Sequence, residues 1–167
     1  MPAPVHHGRV VAGVRCAVLT VSDTRTEADD RGGQTIQERL AGAGHVVHDY
    51  AVVRDEPERI AERVRSWRDD AACDAVLITG GTGIAVRDTT YEAVAGLLDK
   101  RLDGFGELFR MLSYADIGPG AMLSRAVAGL AGRTAVFVMP GSPKAVELAM
   151  DRLIVPELGH VVWLARQ

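Results

Sequence analysis

The chain has 167 residues, a length typical of one domain, and it is 47% hydrophobic and 25% charged. Its formal net charge of −3 argues against a general nucleic-acid binder, which usually presents a strongly basic face. No apolar run approaches the roughly 18 residues of a membrane span, and the N-terminus shows no signal peptide, so we expect a cytoplasmic protein.

Four short apolar runs, rich in β-branched residues, indicate strands covered on both faces. In chain order these runs are residues 15–21, 45–53, 74–79 and 134–139. Apolar residues at helical spacing predict helices at residues 29–43, 56–70, 90–98, 105–112, 144–154 and 156–166. The last of these begins at its proline, a turn-rich break is expected at residues 116–120, and residues 122–131 fit either kind of element.

The alternation of strands and helices predicts an α/β fold with a largely parallel sheet and helices on both faces. We predict a flexible tail over residues 1–13 and a single domain over residues 14–167. Cys16 and Cys73 fall in apolar runs, where we expect buried, reduced thiols rather than a disulfide.

In open α/β sheets, ligands bind beyond the carboxyl ends of the strands. The first run ends at Ser22 and Asp23, which either contact a ligand or cap the next helix. The third run ends in the Gly-rich loop, defined here as Thr79, Gly80, Gly81, Thr82 and Gly83. Three glycines let the backbone approach a ligand closely, and their N–H groups can surround an anion, although a tight turn is the simpler alternative. The loop matches neither the phosphate-loop pattern nor the dinucleotide fingerprint.

The fourth run ends in the PGSP loop, defined here as Pro140, Gly141, Ser142, Pro143 and Lys144. It lies before a predicted helix, whose N-terminus favours anions, and Lys144 adds a positive charge. A rigid helix cap is the alternative interpretation.

Two acidic residues, Asp55 after the second strand and Asp88 after the Gly-rich loop, are candidate catalytic groups. Each could instead cap a helix. If both face the site, paired carboxylates beside phosphate-binding loops suit Mg²⁺-assisted nucleotidyl transfer. Near them, Gly104 and Gly106 flank Phe105 at a helix entrance and indicate a shaped surface rather than simple core.

Seven stretches together resemble a known family, the MoaB/MogA proteins of molybdenum-cofactor biosynthesis, which are related to the G domain of gephyrin. The amino-acid sequences of these stretches are most similar to those of the MoaB branch. The stretches are LTVSDTRT (19–26), GGQTI (32–36), VVRDE (52–56), LITGGTGIAVRDTT (77–90), LDGFGELFRMLSYADIG (102–118), AMLSRAVAG (121–129) and MPGSPKAVELAM (139–150).

The resemblance implies a three-layer α/β/α sandwich with a mostly parallel central sheet. It implies trimers for MogA-like members and hexamers for MoaB-like ones. The implied ligand is molybdopterin, a pterin dithiolene with a terminal phosphate, and the implied reaction uses Mg²⁺ and ATP to give adenylyl-molybdopterin and pyrophosphate. Other proteins of the same pathway are the implied macromolecular partners, with neither nucleic acid nor membrane among them.

The resemblance also implies roles for individual residues. Asp55 and Asp88 match the two catalytic aspartates, which act through Mg²⁺, and the Gly-rich loop matches the nucleotide and pterin site. Further positions that the resemblance places around the pocket are Ser22, Asp23, Glu107, Ser124 and residues 140–144. The sequence departs from the family at Tyr91, which stands in place of a proline.

Two classes of function remain open from the sequence. One is a molybdopterin adenylyltransferase; the other is a carrier or scaffold that binds molybdopterin without turning it over. A nucleotide-dependent oxidoreductase or a phosphatase-like enzyme is disfavoured, because the dinucleotide fingerprint and a nucleophilic Cys/His pair are both missing.

Overall fold

A computed structural model describes residues 8–167 as one mixed sheet between two layers of helices. The strands are β1 (Arg15–Val21), β2 (Val46–Val53), β3 (Ala75–Thr79), β4 (Lys100–Arg101), β5 (Val127–Ala131) and β6 (Thr134–Met139). The helices are α1 (Arg31–Gly42), α2 (Pro57–Arg68), α3 (Thr90–Ala95), α4 (Asp103–Ile117), α5 (Pro143–Ala149) and α6 (Val155–Ala165). A 3₁₀ helix, Gly118–Leu123, follows α4.

The sheet order is β2-β1-β3-β6-β5-β4. The first four strands in this order are parallel, whereas β5 pairs antiparallel with both β6 and β4. The parallel strands therefore end at one edge of the sheet, and β1, β3 and β6 are neighbours there. The prediction of a largely parallel α/β sheet is confirmed.

Each central strand buries both of its faces, which explains the nearly continuous apolar runs. Alternate residues of β1 belong to two separate cores: Val18 faces α1, α4, α5 and α6, and Leu19 faces α2 and α3. Helices thus cover both sides of the sheet and form the three layers expected of an α/β/α sandwich. Cys16 and Cys73 are buried free thiols, and burial raises the pKa of each, most strongly for Cys16.

Two helix predictions were wrong in extent. The helix predicted at residues 105–112 is longer, since α4 runs from Asp103 to Ile117. The break expected at residues 116–120 is present at Gly118, whose φ of +66° and ψ of −144° separate α4 from the 3₁₀ helix. The helices predicted at 144–154 and 156–166 are one continuous helical segment, joined by a π-helical turn at Met150–Ile154. A π turn displaces the carbonyl that the ring of Pro156 would otherwise meet, so the proline does not end the helix.

The structure also corrects the interpretation of Phe105. Its side chain is buried and packs edge-on against Phe137 of β6, with ring centroids 5.5 Å apart. Gly106 does not shape the exposed surface that the sequence had indicated. It permits close packing of α4, since a Cβ there would lie 2.8 Å from the carbonyl oxygen of Ala126. Phe105 is therefore core.

The predicted tail falls partly outside the described residues, which exclude residues 1–7. Of the remainder, Val11 donates a backbone hydrogen bond to Gly159 of α6, and Arg9 lies over the ring of Trp163. The structure therefore places residues 9–11 against the last helix. No helix among residues 8–167 is long and apolar enough to cross a membrane.

Candidate functional site

The three loops nominated from the sequence meet at one edge of the sheet, because β1, β3 and β6 are adjacent and parallel. Thr79 donates its hydroxyl hydrogen to the Pro140 carbonyl at 3.0 Å, and the Gly80 N–H donates to Met139 at 3.2 Å. Gly141 lies so close to Gly80 that a Cβ on Gly141 would come within 3.2 Å of the Gly80 Cα. The Gly-rich and PGSP loops are therefore in direct contact.

A cavity of about 560 Å³ opens between these loops and the start of α1. Ser22, Thr79, Gly80, Gly141 and Pro143 contribute to its lining, as sequence reasoning proposed for a shared pocket. A cavity of this size can hold a small molecule.

The opposite side of this first cavity comes from the segment before and within α1, which sequence reasoning largely missed. Arg25 and Arg31 bring two positive charges to the lining, and Asp30 lies at its base. Asp30 is buried; it caps α1 by accepting from the Gly33 N–H at 3.0 Å, and it also accepts a short hydrogen bond from the Tyr50 hydroxyl. The signal available in the sequence was the polar stretch at residues 24–33.

The Gly-rich loop requires its glycines for steric reasons. Gly80 has φ +93° and Gly81 has φ +65°, values that L side chains rarely adopt. A Cβ on Gly80 would lie 2.2 Å from the Val21 carbonyl oxygen of β1. Among the residues that the structure describes, none accepts a hydrogen bond from the backbone N–H of Thr82, Gly83 or Ile84. These N–H groups are therefore available to an anion.

The two candidate catalytic carboxylates flank this loop. The nearest Asp55 oxygen, Oδ2, lies 2.5 Å from where a Cβ on Gly81 would be, and Oδ2 of Asp88 lies at the same distance from that position on Gly83. Both aspartates therefore contact the loop backbone where a side chain would not fit.

Asp55 also binds Thr89, the residue that precedes the first turn of α3. Its Oδ1 accepts from both the backbone N–H of Thr89, at 3.0 Å, and the Thr89 hydroxyl, at 2.6 Å. The Asp55 backbone N–H in turn donates to Asp23 at 3.0 Å, and Asp23 pairs with the exposed Arg87. Asp55 therefore anchors the start of α3 from outside that helix, and it does not cap the helix that follows it, because α2 begins after Glu56 without a side-chain cap.

Asp88 opens towards a second cavity of about 420 Å³ on the other side of the Gly-rich loop. Apolar side chains, including Ile84, and the guanidinium of Arg125 complete its lining. The first cavity therefore reaches the start of the Gly-rich loop at Thr79 and Gly80, whereas the second is lined by residues that follow the loop, among them Ile84 and Asp88.

The donor set suits a Mg²⁺ ion that arrives with a nucleotide. No group of three or more His, Cys, Asp or Glu side chains within residues 8–167 could hold a metal by itself. Mg²⁺, however, commonly takes one or two carboxylates together with substrate phosphates and water. Asp88 beside the loop could supply one such carboxylate, and Oδ2 of Asp55, which accepts no hydrogen bond from Thr89, could supply the other.

The remaining nominated residues lie outside both cavities. Glu107 lines a small separate cavity with Arg101 and Arg110, and Lys144 lines an open depression with Glu147 and Asp151. Ser124 is half-buried after the 3₁₀ helix, and Ser142 caps α5 by accepting from the Ala145 N–H at 3.3 Å. Thr82 is buried within the loop, and Pro140 accepts the Thr79 hydrogen bond. One chain therefore does not bring Glu107, Ser124 or Lys144 to the lining of either cavity.

Arg125 is the functional side chain that the sequence singled out least clearly. It donates to the carbonyls of Thr82 and Gly83, pairs with Glu92 of α3, and lies 4.8 Å from the ring centroid of Tyr91. Tyr91, the position at which the sequence departs from the family it resembles, is thus packed against a residue that contacts the Gly-rich loop.

Comparison with known proteins agrees with this architecture. The family model described as a probable molybdopterin binding domain matches residues 17–160. Molybdenum cofactor biosynthesis protein B of Bacillus cereus is 52% identical over 164 residues, covering 98% of this chain and 97% of the relative. The protein of the same name from Bacillus subtilis is 53% identical over 150 residues, covering 89% and 88%.

Solved structures show the same fold. A crystal structure of molybdenum cofactor biosynthesis protein B has 54% identity and a TM-score of 0.90, covering 92% of this chain and 97% of that one. The tungsten cofactor synthesizing protein MoaB from Pyrococcus furiosus has 36% identity and a TM-score of 0.80, covering 92% and 98%. Both the sequence match and the fold lead to one conclusion: the chain belongs to the MoaB family of molybdenum-cofactor biosynthesis proteins.

Proposed function

We propose that this protein binds molybdopterin and adenylylates it with Mg·ATP. In this reaction an oxygen of the molybdopterin phosphate attacks the α-phosphorus of ATP, the bond between the α-phosphorus and the bridging oxygen breaks, and pyrophosphate leaves. The observation that carries the proposal is the Gly-rich loop: Asp55 lies against its Gly81, Asp88 lies against its Gly83, and no described residue accepts from the N–H groups of Thr82 and Gly83.

The chain's own groups supply binding and orientation for such a transfer. The N–H groups of Thr82, Gly83 and Ile84 are suited to phosphate oxygens. Arg25 and Arg31 bring guanidinium groups to the first cavity that can pair with phosphates, although Asp29 and Asp30 line the same cavity and balance their charge. Mg²⁺ would neutralise phosphate charge as pyrophosphate departs, and Asp88 would hold it, with Asp55 as a further ligand.

A second candidate function is a molybdopterin carrier without turnover. One observation favours it: Oδ1 of Asp55 is committed to Thr89, while Asp88 lines the second cavity rather than the first. In a carrier, both aspartates would serve only to hold the loop and α3 in place.

The deciding experiment mixes purified protein with molybdopterin and Mg·ATP and measures adenylyl-molybdopterin and pyrophosphate. Asp88→Asn should lower kcat/KM by at least roughly a hundredfold, because the loss of a carboxylate that holds the metal removes several kcal/mol of transition-state stabilisation. Asp69→Asn is the matched control, since Asp69 is an exposed carboxylate paired with Arg68 at the end of α2.

Each result has a definite meaning. Turnover that depends on Asp88 supports the transferase. Molybdopterin binding by the wild type without any product identifies a carrier. Turnover that is equal in Asp88→Asn and the control contradicts the role of Asp88.

We further propose that the protein acts as a homo-oligomer, a trimer or a hexamer, in the cytoplasm, where ATP is available and buried thiols stay reduced. An exposed apolar face on α4 and the 3₁₀ helix supports self-association. Its members are Leu108, Met111, Tyr114, Ile117, Met122 and Leu123. Subunit contact at this face could also bring residues of a second copy towards the cavities.

A further inference from the structure

The guanidinium of Arg125 determines which way the Gly-rich loop presents its N–H groups. Its Nε donates to the Thr82 carbonyl at 2.9 Å, and its Nη2 donates to the Gly83 carbonyl at 2.8 Å. In a planar trans peptide, the C=O of one residue and the N–H of the next point in opposite directions. By holding these two carbonyls, Arg125 therefore directs the N–H groups of Gly83 and Ile84 away from itself.

Arg125 is itself held by two neighbouring residues of α3. Both oxygens of the Glu92 carboxylate accept from it, and the Tyr91 ring lies beneath the guanidinium at 4.8 Å. The Tyr91 hydroxyl accepts from Arg101 at 3.0 Å, which fixes the ring from the other end. The Arg125 side chain is 25% exposed, so these contacts are only partly screened by water.

The loop needs an external support because it has little means of holding its own conformation. Gly80, Gly81 and Gly83 carry no side chains that could pack, and glycine has more backbone freedom than any other residue. The Arg125 guanidinium binds two loop carbonyls at once and is itself held by residues of α3. A planar guanidinium fixes the geometry of two such hydrogen bonds, whereas a lysine ammonium does not.

We propose that Arg125, Glu92 and Tyr91 form a clamp that keeps the Gly-rich loop in its anion-binding geometry. Arg125 and Tyr91 are then positioning residues for nucleotide phosphate, acting through the loop. The identity of the anion rests on the proposed function, whereas the clamp itself does not.

The first test compares Arg125→Lys with Arg68→Lys as a matched control, because Arg68 pairs with Asp69 at the end of α2. Hydrogen exchange is measured by mass spectrometry on the ligand-free protein, in the peptides that cover residues 79–92. Arg125→Lys should exchange faster in this segment alone. Calorimetry with Mg·ATP should show about tenfold weaker binding, the effect of one lost charge-assisted contact.

Tyr91 supplies a second, graded test. Tyr91→Phe keeps the ring under Arg125 but loses the hydrogen bond from Arg101, so its effect on exchange and on Mg·ATP affinity should be smaller than that of Tyr91→Leu. Tyr91→Leu removes the aromatic face and should change exchange and affinity in the same direction as Arg125→Lys. Circular dichroism confirms that each variant is folded.

Three results separate the clamp from the proposed function. Exchange over residues 79–92 that is equal in Arg125→Lys and Arg68→Lys overturns the clamp. Faster exchange with unchanged Mg·ATP affinity overturns the positioning role. If the wild type binds no Mg·ATP, the proposed function fails, and the exchange experiment decides the clamp by itself.

Discussion

At the scale of single residues, Asp74 is a buried carboxylate whose charge is balanced by two arginines. It is 8% exposed and accepts hydrogen bonds from the Arg15 guanidinium, the Arg15 backbone N–H and Arg166, each at 2.8–2.9 Å. Burial alone would raise the pKa of Asp74, but these hydrogen bonds hold it well below its ordinary value. The carboxylate thereby ties the start of β1 to the end of the chain.

Asp74→Asn should lower the free energy of unfolding by about 2 kcal/mol at pH 7, since it leaves two arginines with a weaker partner. This is less than for a fully buried pair because both arginines are about 40% exposed. A lowered pKa stabilises the folded state fully above the unfolded value of about 3.9, and this effect begins to decline below that pH and is lost as pH falls through the lower pKa of the folded state. Urea midpoints of variant and wild type should therefore differ at pH 7 and converge towards pH 3. A gap that is equal at both pH values would contradict this.

At the scale of elements, the connection after β3 depends on backbone conformation. Gly80→Ala should destabilise the protein by about 2–4 kcal/mol, because alanine there has an unfavourable φ and its Cβ would meet a β1 carbonyl oxygen at 2.2 Å. Gly104→Ala is the matched control: it lies in α4 with open space around it, and alanine should stabilise the helix by about 0.5–1 kcal/mol. Thermal melting measures both, and a Gly80→Ala variant as stable as the wild type would show that the loop can move away from β1.

Strands and helices were predicted correctly where the local sequence pattern alone identifies the element. β1 and β6 lie at the predicted residues, because each is an uninterrupted apolar run buried on both faces. β4 was not predicted, and β5 lies within residues 122–131, which the sequence left open between helix and strand. β4 has only two residues, and Gly129 of β5 is explained only by its partner, since a Cβ there would lie 2.1 Å from the Lys100 carbonyl oxygen. Short strands of this kind form because a neighbour is present to pair with them.

At the scale of the whole molecule, the apolar segment around α4 separates into two parts. Phe105 and Phe109 face the core, whereas Met111, Tyr114 and Met122 are 59–78% exposed. Sedimentation should therefore show a multiple of the 17.9 kDa chain, and the double variant Met111→Glu/Met122→Glu should shift it towards monomer, because carboxylates are costly to bury in an interface. Leu164→Glu changes an exposed apolar residue of α6 and should leave the assembly intact. A monomeric wild type would contradict the proposed oligomer.

The sequence alone determined the α/β class, the position of the central strands and the convergence of three loops at one sheet edge. These follow from local apolar patterns and from chain order, which force parallel strands to end together. Only the tertiary structure decided how the side chains there are used. Asp55 is bound by Thr89, 34 residues away, and Arg125 reaches Thr82 across 43 residues. Lys144 and Glu107 line neither of the two cavities beside the Gly-rich loop, although both were expected to line the ligand pocket. No local sequence pattern predicts such contacts, because they depend on how elements that are distant in sequence pack against one another.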